Sequence, residues 1–401
     1  MKKEFPKGFL WGVAHSSHQV EGNNDNNDWW EWEEKGKTKE RSGRACDSWN
    51  RYPIDHQLVE ELGAGGLRMS LEWSRIEPEE GKFSDEAIEH YRKVLRDLKK
   101  RNVKRVVTLW HWTLPIWFSH KYGWHKRESI EYFTKYCEKV ISALGEEIDI
   151  FLTINEPTVP LSAGYFADKF PPGKKNPLLF KKARANMIEA HKGCYEIIKK
   201  QYKNLPVGIT QLYNFFEPFN ERSIIYKYIT EKIGSFNNHY FLDAINDYQD
   251  IIGIDYYFHD KIKFNLKFPY YKTHNINEKV SDFGWEIFPR GIYEVSMDAW
   301  ERYNKPIYIF ENGVADEKDS FRSEFIKGHL NWLHKALKRG ADIRGYFHWS
   351  LLDNFEWCEG FSKKFGLCEM NYETMERKPR PSYYYYQKII KQNGIEIKTK
   401  K

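Results

Sequence analysis

Cysteine is scarce in this 401-residue chain, with five: Cys46, Cys137, Cys194, Cys358 and Cys368. The number is odd and no CxxC pair occurs, so neither a disulfide framework nor a cysteine zinc site is indicated. No run approaches the roughly 18 apolar residues of a membrane span. The chain opens with two lysines, but Pro6, Lys7 and Gly8 interrupt any apolar stretch, so a secretory signal is not expected and a reducing, cytoplasmic setting is. A dominant charge is missing too. Lys and Arg number 63 against 57 Asp and Glu, a net +6 with the signs interspersed, which leaves no nucleic-acid footprint. Linkers rich in Pro, Gly or Ser and internal repeats are absent. With 30% charged and 41% apolar residues the chain falls outside the disordered and transmembrane classes.

What the chain has in quantity is aromatic side chains: 15 Trp, 26 Tyr and 26 Phe, 17% of the residues. Such residues supply core area, and their faces also stack on sugars. They recur in eight short runs rich in β-branched and aromatic residues: Phe9–Ser16, Leu67–Trp73, Arg105–Trp112, Ile150–Asn155, Val207–Leu212, Ile251–Tyr257, Pro306–Glu311 and Ile343–Ser350. Each is short enough for a strand buried on both faces. Between them lie amphipathic stretches with helical spacing, at Ser84–Arg101, Ser129–Leu144, Leu178–Gln201, Gly291–Arg302 and Ser320–Lys338. Ser84 is placed to cap the first of these, which begins with acids and ends in a basic cluster. Eightfold strand–helix alternation predicts a single-domain α/β chain, a (β/α)8 TIM barrel over residues 1–401 with a short basic tail from about residue 393. A doubly wound open sheet would need a glycine-rich phosphate turn after a strand, and none is present.

Barrel active sites lie at the C-terminal ends of the strands. Here those ends carry acids, amides and indoles: Gln19 and Glu21, Arg68, His111 and Trp112, Asn155-Glu156-Pro157, Asp255-Tyr256-Tyr257, Glu311-Asn312-Gly313, and Trp349 followed by Asp353, Asn354, Glu356 and Trp357. Acids on the fourth and seventh strands, Glu156 and Glu311, would face one another across the barrel mouth. Two close carboxyls cannot both ionise freely, so one holds its proton, which is the equipment of a retaining glycosidase. Arg68 beside Glu311 would keep that carboxylate charged. His111 has no second histidine at metal spacing, so no metal or other cofactor is expected.

The same blocks resemble glycoside hydrolase family 1, the retaining β-glucosidases and β-galactosidases, from Phe5 to about Gln392. They are FPKGFLWGVAHSSHQVEG, TLWHWTLP, TINEP, IFENG and HWSLLDNFEWCEGFSKKFGL, in the family's order. The resemblance implies Glu156 as acid/base and Glu311 as nucleophile. It implies Gln19, His111, Trp112, Asn155, Glu356 and Trp357 as contacts to the glycone hydroxyls, Trp349 as the platform beneath the ring and Phe365 at its edge. Arg68 and Tyr257 would hold the nucleophile. Asp255 departs from the Asn of the family's NYY, and Leu212 stands where many members have Asn. Shortening between Pro218 and Ile251, and again after Phe258, suggests a more open mouth. The expected activity is exo-hydrolysis of small, unphosphorylated β-glycosides with no nucleic-acid or membrane partner. Transglycosylation, a 6-phospho-β-glycosidase and a non-catalytic sugar-binding barrel are the rivals. A phosphate-specific member would not place an acid at Glu356, and a binding protein would not retain both carboxylates.

Overall fold

The computed structural model describes residues 2–266, 271–273, 275 and 279–397. Eight parallel strands close into a barrel in chain order: β1 Leu10–Ala14, β2 Gly66–Ser70, β3 Lys104–Trp110, β4 Ile150–Asn155, β5 Val207–Leu212, β6 Ile252–Asp255, β7 Ile307–Asn312 and β8 Ile343–Trp349. All eight coincide with the apolar runs, because a strand covered on both faces must be apolar throughout. A long helix follows each strand: α1 Ser48–Leu62, α2 Asp85–Lys100, α3 Glu128–Leu144, α4 Pro177–Gln201, α5 Ile224–Gly234, α6 Gly291–Tyr303, α7 Arg322–Lys338 and α8 Pro381–Gln392. Ser84 caps α2 by accepting from the Ala87 N–H at 3.1 Å. The helix expected from Ser320 begins instead at Arg322. There the Asp316 carboxylate takes the N–H groups of Ser320, Phe321 and Arg322 and holds the preceding turn apart. Among the described residues no helix is long and apolar enough to cross a membrane.

The apolar interior has two shells. One lies between strands and helices, and a smaller one fills the barrel with Ala14, Val106, Leu152, Phe310, Phe347 and Trp349. Phe347 shows how tightly the inner shell is filled. A Cβ on Gly12 would stand 2.3 Å from its ring, so β1 has room there for hydrogen alone.

Two of the barrel strands are irregular near their C-terminal ends. From Leu152 to Asn155, three steps along β4 oppose two along β5, from Gly208 to Thr210. From Ile309 to Glu311, two steps along β7 oppose one along β6, from Ile254 to Asp255. An extra residue bends a strand and redirects its side chains. Both bulges sit at the strand ends that carry Glu156 and Glu311.

The chain ends close against its beginning. Gly394–Glu396 pairs antiparallel with Lys2–Glu4, with Ile395 buried. Paired structure therefore runs past residue 393, where the sequence placed the start of a tail, because an apolar residue there finds a covered site. Side sheets not anticipated from sequence join Phe215–Pro218, His259–Phe264 and Tyr271–Thr273, and pair Cys368–Asn371 with Glu376–Pro379. The shortened stretch after Phe258 lies partly outside the described residues.

The segment after β8 is pinned from below. Asp353 receives both arms of the Arg380 guanidinium at 2.9 and 2.8 Å and the Gly366 N–H at 2.9 Å. The Asp353 side chain is fully buried and that of Arg380 nearly so. Removing one partner of such a pair strands the other charge, which typically costs about 3–5 kcal/mol. Asp353→Ala is therefore expected to lower unfolding stability by that amount in urea titration. A loss below about 1 kcal/mol would show that the pair does not hold the segment.

Candidate active site

The C-terminal ends of the strands surround a cavity of about 510 Å³. Ten of the twelve residues singled out from sequence line it: Gln19, His111, Trp112, Glu156, Tyr257, Glu311, Trp349, Glu356, Trp357 and Phe365. The other two, Arg68 and Asn155, lie beneath its floor, with 1% and 0% of their surface exposed.

Arg68 points inward from β2 and organises the floor. Its guanidinium donates to Glu311 Oε1 and to Asn155 Oδ1, and more weakly to Thr210 and Thr108 at 3.3 Å each. Thr210 also donates to Asn155 Oδ1 at 2.5 Å. With its carbonyl end so engaged, Asn155 turns Nδ2 toward His111 Nε2 at 3.2 Å. His111 must accept there, so its proton sits on Nδ1. Burial and the Arg68 charge hold the imidazole well below its usual range and therefore neutral.

The two carboxyls differ in their partners. Glu311 is held by Arg68 and by the Tyr257 hydroxyl, which donates to Oε2 at 2.9 Å. Burial pushes its carboxyl up, while the guanidinium and the phenol oppose the rise. Glu156 has no such donors. Its Oε1 is buried without a partner, and burial with the Glu311 charge pushes its carboxyl well above the usual range. One oxygen of each of Glu156, Glu311 and Asp255 lies within 4.8 Å of one belonging to each of the others. This grouping would suit a cation by distance alone, but the Arg68 guanidinium already supplies the positive charge at Glu311.

Backbone geometry is unusual at three site residues. Trp112, Glu156 and Trp357 have φ of 77°, 40° and 50°, a region that non-glycine residues adopt at about 1–3 kcal/mol each. Neighbours hold two of them in place: the Glu156 N–H donates to Thr210 O at 2.8 Å, and Trp112 Nε1 to Asn155 O at 3.1 Å. Gly313 directly follows β7. A Cβ there would meet the Trp349 carbonyl oxygen at 1.8 Å, so glycine provides space.

Above the floor, the His111 ring lies nearly parallel to Trp349 and to Trp357, at 6.2 and 6.0 Å. Gln19 is fully buried and ties down the next wall: Nε2 donates to Phe355 O at 2.8 Å and Asn354 Oδ1 at 3.0 Å, and Oε1 accepts from Ser16. Glu356 departs from expectation. Burial and the Glu311 charge push its carboxyl up to about 8, and Oε2 has no partner. Such a shift favours the neutral acid around neutral pH.

Sequence reasoning missed part of the wall. Trp32, Phe170, Phe283 and Trp285 line the cavity, as do Lys37 and Lys169. Their signal was weak, since Phe170, Phe283 and Trp285 lie in loops and Trp32 in the short helix Asp28–Glu34, outside the strand–helix repeat. Leu212, noted as a departure, does face the cavity, and Phe258 stands with it.

A sequence model of glycosyl hydrolase family 1 matches residues 1–247 and 242–395. The chain is 31% identical over 444 residues to β-glucosidase A of Thermotoga maritima, covering 98% of this chain and 99% of that protein. It is 32% identical over 474 residues to a β-galactosidase of Sulfolobus acidocaldarius, covering 98% and 96%. Among solved structures, a β-glycosidase from Pyrococcus horikoshii superposes with a TM-score of 0.94 at 39% identity, covering 99% of this chain and 97% of that one.

The Tyr257–Glu311 bond generates a pH prediction. A hydrogen bond to a charged form favours that form, so Tyr257→Phe is expected to raise the Glu311 pKa and move the acid limb of the kcat/KM profile to higher pH. The plateau should fall by about 1.5–3 kcal/mol, roughly 10- to 150-fold. An acid limb that stays in place would show that Tyr257 does not steer this ionisation.

Proposed function

As the chain belongs to glycosyl hydrolase family 1 and so hydrolyses glycosidic bonds, we propose that Glu311 is its nucleophile and Glu156 its acid/base, acting on small, unphosphorylated β-D-glucosides and related β-glycosides. The whole chain is taken as one catalytic barrel. The supporting observation is two carboxyls within 4.8 Å, one bonded to a guanidinium and a phenol and the other to neither. Retaining enzymes keep their carboxyls about 5–5.5 Å apart, whereas inverting enzymes leave about 6.5–9.5 Å for a water.

In the first step a Glu311 oxygen bonds to the anomeric carbon while the proton of Glu156 passes to the departing oxygen. The negative charge thereby moves from Glu311 to Glu156, and the aglycone leaves as an alcohol. In the second step Glu156 takes a proton from water, whose oxygen attacks the same carbon and frees Glu311. The net stereochemistry is retention.

Four residues lining the cavity each carry a buried polar atom without a partner: Glu156 Oε1, His111 Nδ1, Glu356 Oε2 and Trp32 Nε1. Such atoms ask for hydrogen-bonding groups from a ligand, and the hydroxyls of a pyranose supply them, with Trp349 beneath its apolar face. The names of the relatives span glucosides and galactosides, so a panel of p-nitrophenyl β-glycosides ranks the glycones. The five free thiols fit the reducing interior that the sequence favoured.

Glu311→Gly is expected to lose turnover by several orders of magnitude, and azide should restore activity with an inverted glycosyl azide as product. In Glu156→Gln, glycosides with poor leaving groups should lose most and dinitrophenyl glycosides least. Near-normal turnover of Glu311→Gly, or equal losses across leaving groups in Glu156→Gln, would overturn the assignment.

Glu356 generates a second prediction. Its carboxyl, pushed up to about 8, is partly ionised at neutral pH and repels a nearby anion weakly there; at higher pH its full charge repels one strongly. Discrimination against glucose 6-phosphate relative to glucose, measured as a ratio of dissociation constants, is expected to grow about tenfold from pH 7 to pH 9 and to stay flat in Glu356→Gln. A ratio in the native enzyme that does not change with pH would remove Glu356 as the phosphate filter.

A further inference from the structure

Asp255 ends β6, is shut off from solvent, and has no part in the two-step displacement. Its Cα stands opposite Leu212 of β5 on one side and Glu311 of β7 on the other. One of its oxygens is within 4.8 Å of an oxygen of Glu156 and of Glu311. Neither oxygen has a hydrogen-bond partner of good geometry. Nη1 of Arg68 lies 4.0 Å from Oδ2 but is bonded to Glu311. The charged and titratable groups facing this carboxyl are Arg68 from β2, Glu156 beyond β4, Glu311 from β7 and Tyr257 next along its own segment. From β5 it meets Thr210, which does not titrate.

One guanidinium thus serves three buried carboxyls and is committed to one of them. A second anion here would share a counter-charge already bonded to Glu311 and have only marginal donors, the Thr210 hydroxyl and the Glu311 N–H, a state that buried groups escape by taking up a proton. We propose that Asp255 stands in the resting site as a neutral acid, so that the three carboxyls around Arg68 carry a single negative charge, seated on Glu311. This rests on the retaining mechanism with Glu311 as nucleophile. Burial and the Glu311 charge, which push the Asp255 carboxyl well above its usual range, act in the same direction. As a neutral acid the side chain has the size and charge of an asparagine. Unlike asparagine, it can lose a proton. An ionised Asp255 would then compete with Glu311 for Arg68, which makes it a positioning residue acting through the nucleophile.

Asp255→Asn tests this, because it keeps shape and neutrality and removes the titration. If Asp255 is neutral, the alkaline limb of kcat/KM, set by Glu156, lies at the same or higher pH in the variant. If Asp255 is instead an anion, its removal strips a negative charge from beside Glu156 and the limb drops by about one pH unit or more, which overturns the proposal. The native enzyme provides an independent readout. With 13C-labelled aspartate, NMR should show a side-chain carboxyl still protonated at pH 7 after Asp28→Asn has removed the signal of Asp28, whose buried carboxyl is pushed up to about 8. No protonated aspartate in that spectrum overturns the proposal whether or not Asp255→Asn folds. A native enzyme that cleaves no glycoside would sink the retaining mechanism instead, and the carboxyl signal would still decide the state of Asp255.

Discussion

The site depends on the guanidinium of Arg68, buried under the floor of the barrel mouth. An isolated carboxylate there would be intolerable, and Arg68 makes one tolerable through direct donation to Glu311. The same planar fork takes Asn155 Oδ1, which orients the amide. The amide fixes the tautomer of His111, which leaves Nδ1 as a buried donor without a partner. Three side chains from three strands thus receive their hydrogen-bonding polarity from one cation. A lysine, with a single point of charge, could not address two acceptors with fixed geometry. The asymmetry between the two carboxyls has the same origin, because Glu311 is near enough to bond this cation and Glu156 is not.

The barrel supplies what that cation needs. Parallel strands covered on both faces create a dry interior, and the closed ladder leaves strand ends as the places where polar side chains can converge. Ordinary strand geometry alternates side chains in and out. The bulges at the ends of β4 and β7 break this alternation where Glu156 and Glu311 stand. Left-handed backbone at Glu156, Trp112 and Trp357 adds further redirection. The surrounding core and pinned loops offset the cost of these conformations, since a strained residue persists only when its neighbours over-determine it.

These features mark what was legible in the sequence. The eight strands were, because double-sided burial forces continuous apolar runs that turn residues bound. The chemistry-bearing strand ends were as well, since acids and amides directly after such runs have few structural reasons to be there. Bulges leave no composition signature, so the means by which the two acids are aimed came from the structure alone. The walls built by Phe283 and Trp285 were missed because loop aromatics follow no period. Lys37 and Lys169 were hidden by sequence distance, as the chain returns to the mouth from segments far from any strand end. The acidity of Glu356 was not legible for a physical reason. Residue type gives an intrinsic acidity, while burial and the field of Glu311 push this carboxyl up to about 8.

Acidities set by surroundings also make the empty and occupied mouths differ in charge. Among the described residues lining or flooring the mouth, Glu156, Glu311, Glu356 and Asp255 lie near one bonded cation, and burial pushes each carboxyl upward. Each such shift favours the protonated form and so lowers the negative charge these four acids would otherwise bring together. A sugar brings hydroxyl donors, which favour the ionised form of whatever acid accepts them. Under the proposed mechanism Glu156 keeps its proton until the bond breaks, and Glu356, which lines the cavity with Oε2 unpartnered, is the acid that such donors would shift. Discrimination between these two acids comes from what each meets. In the proposed mechanism Glu356 would receive donors from the sugar, and Glu156 only the oxygen that takes its proton. Aromatic content and the placement of acids, which look like separate peculiarities of the sequence, therefore meet in one place: a mouth walled by apolar rings, whose buried acids take their charge from their surroundings.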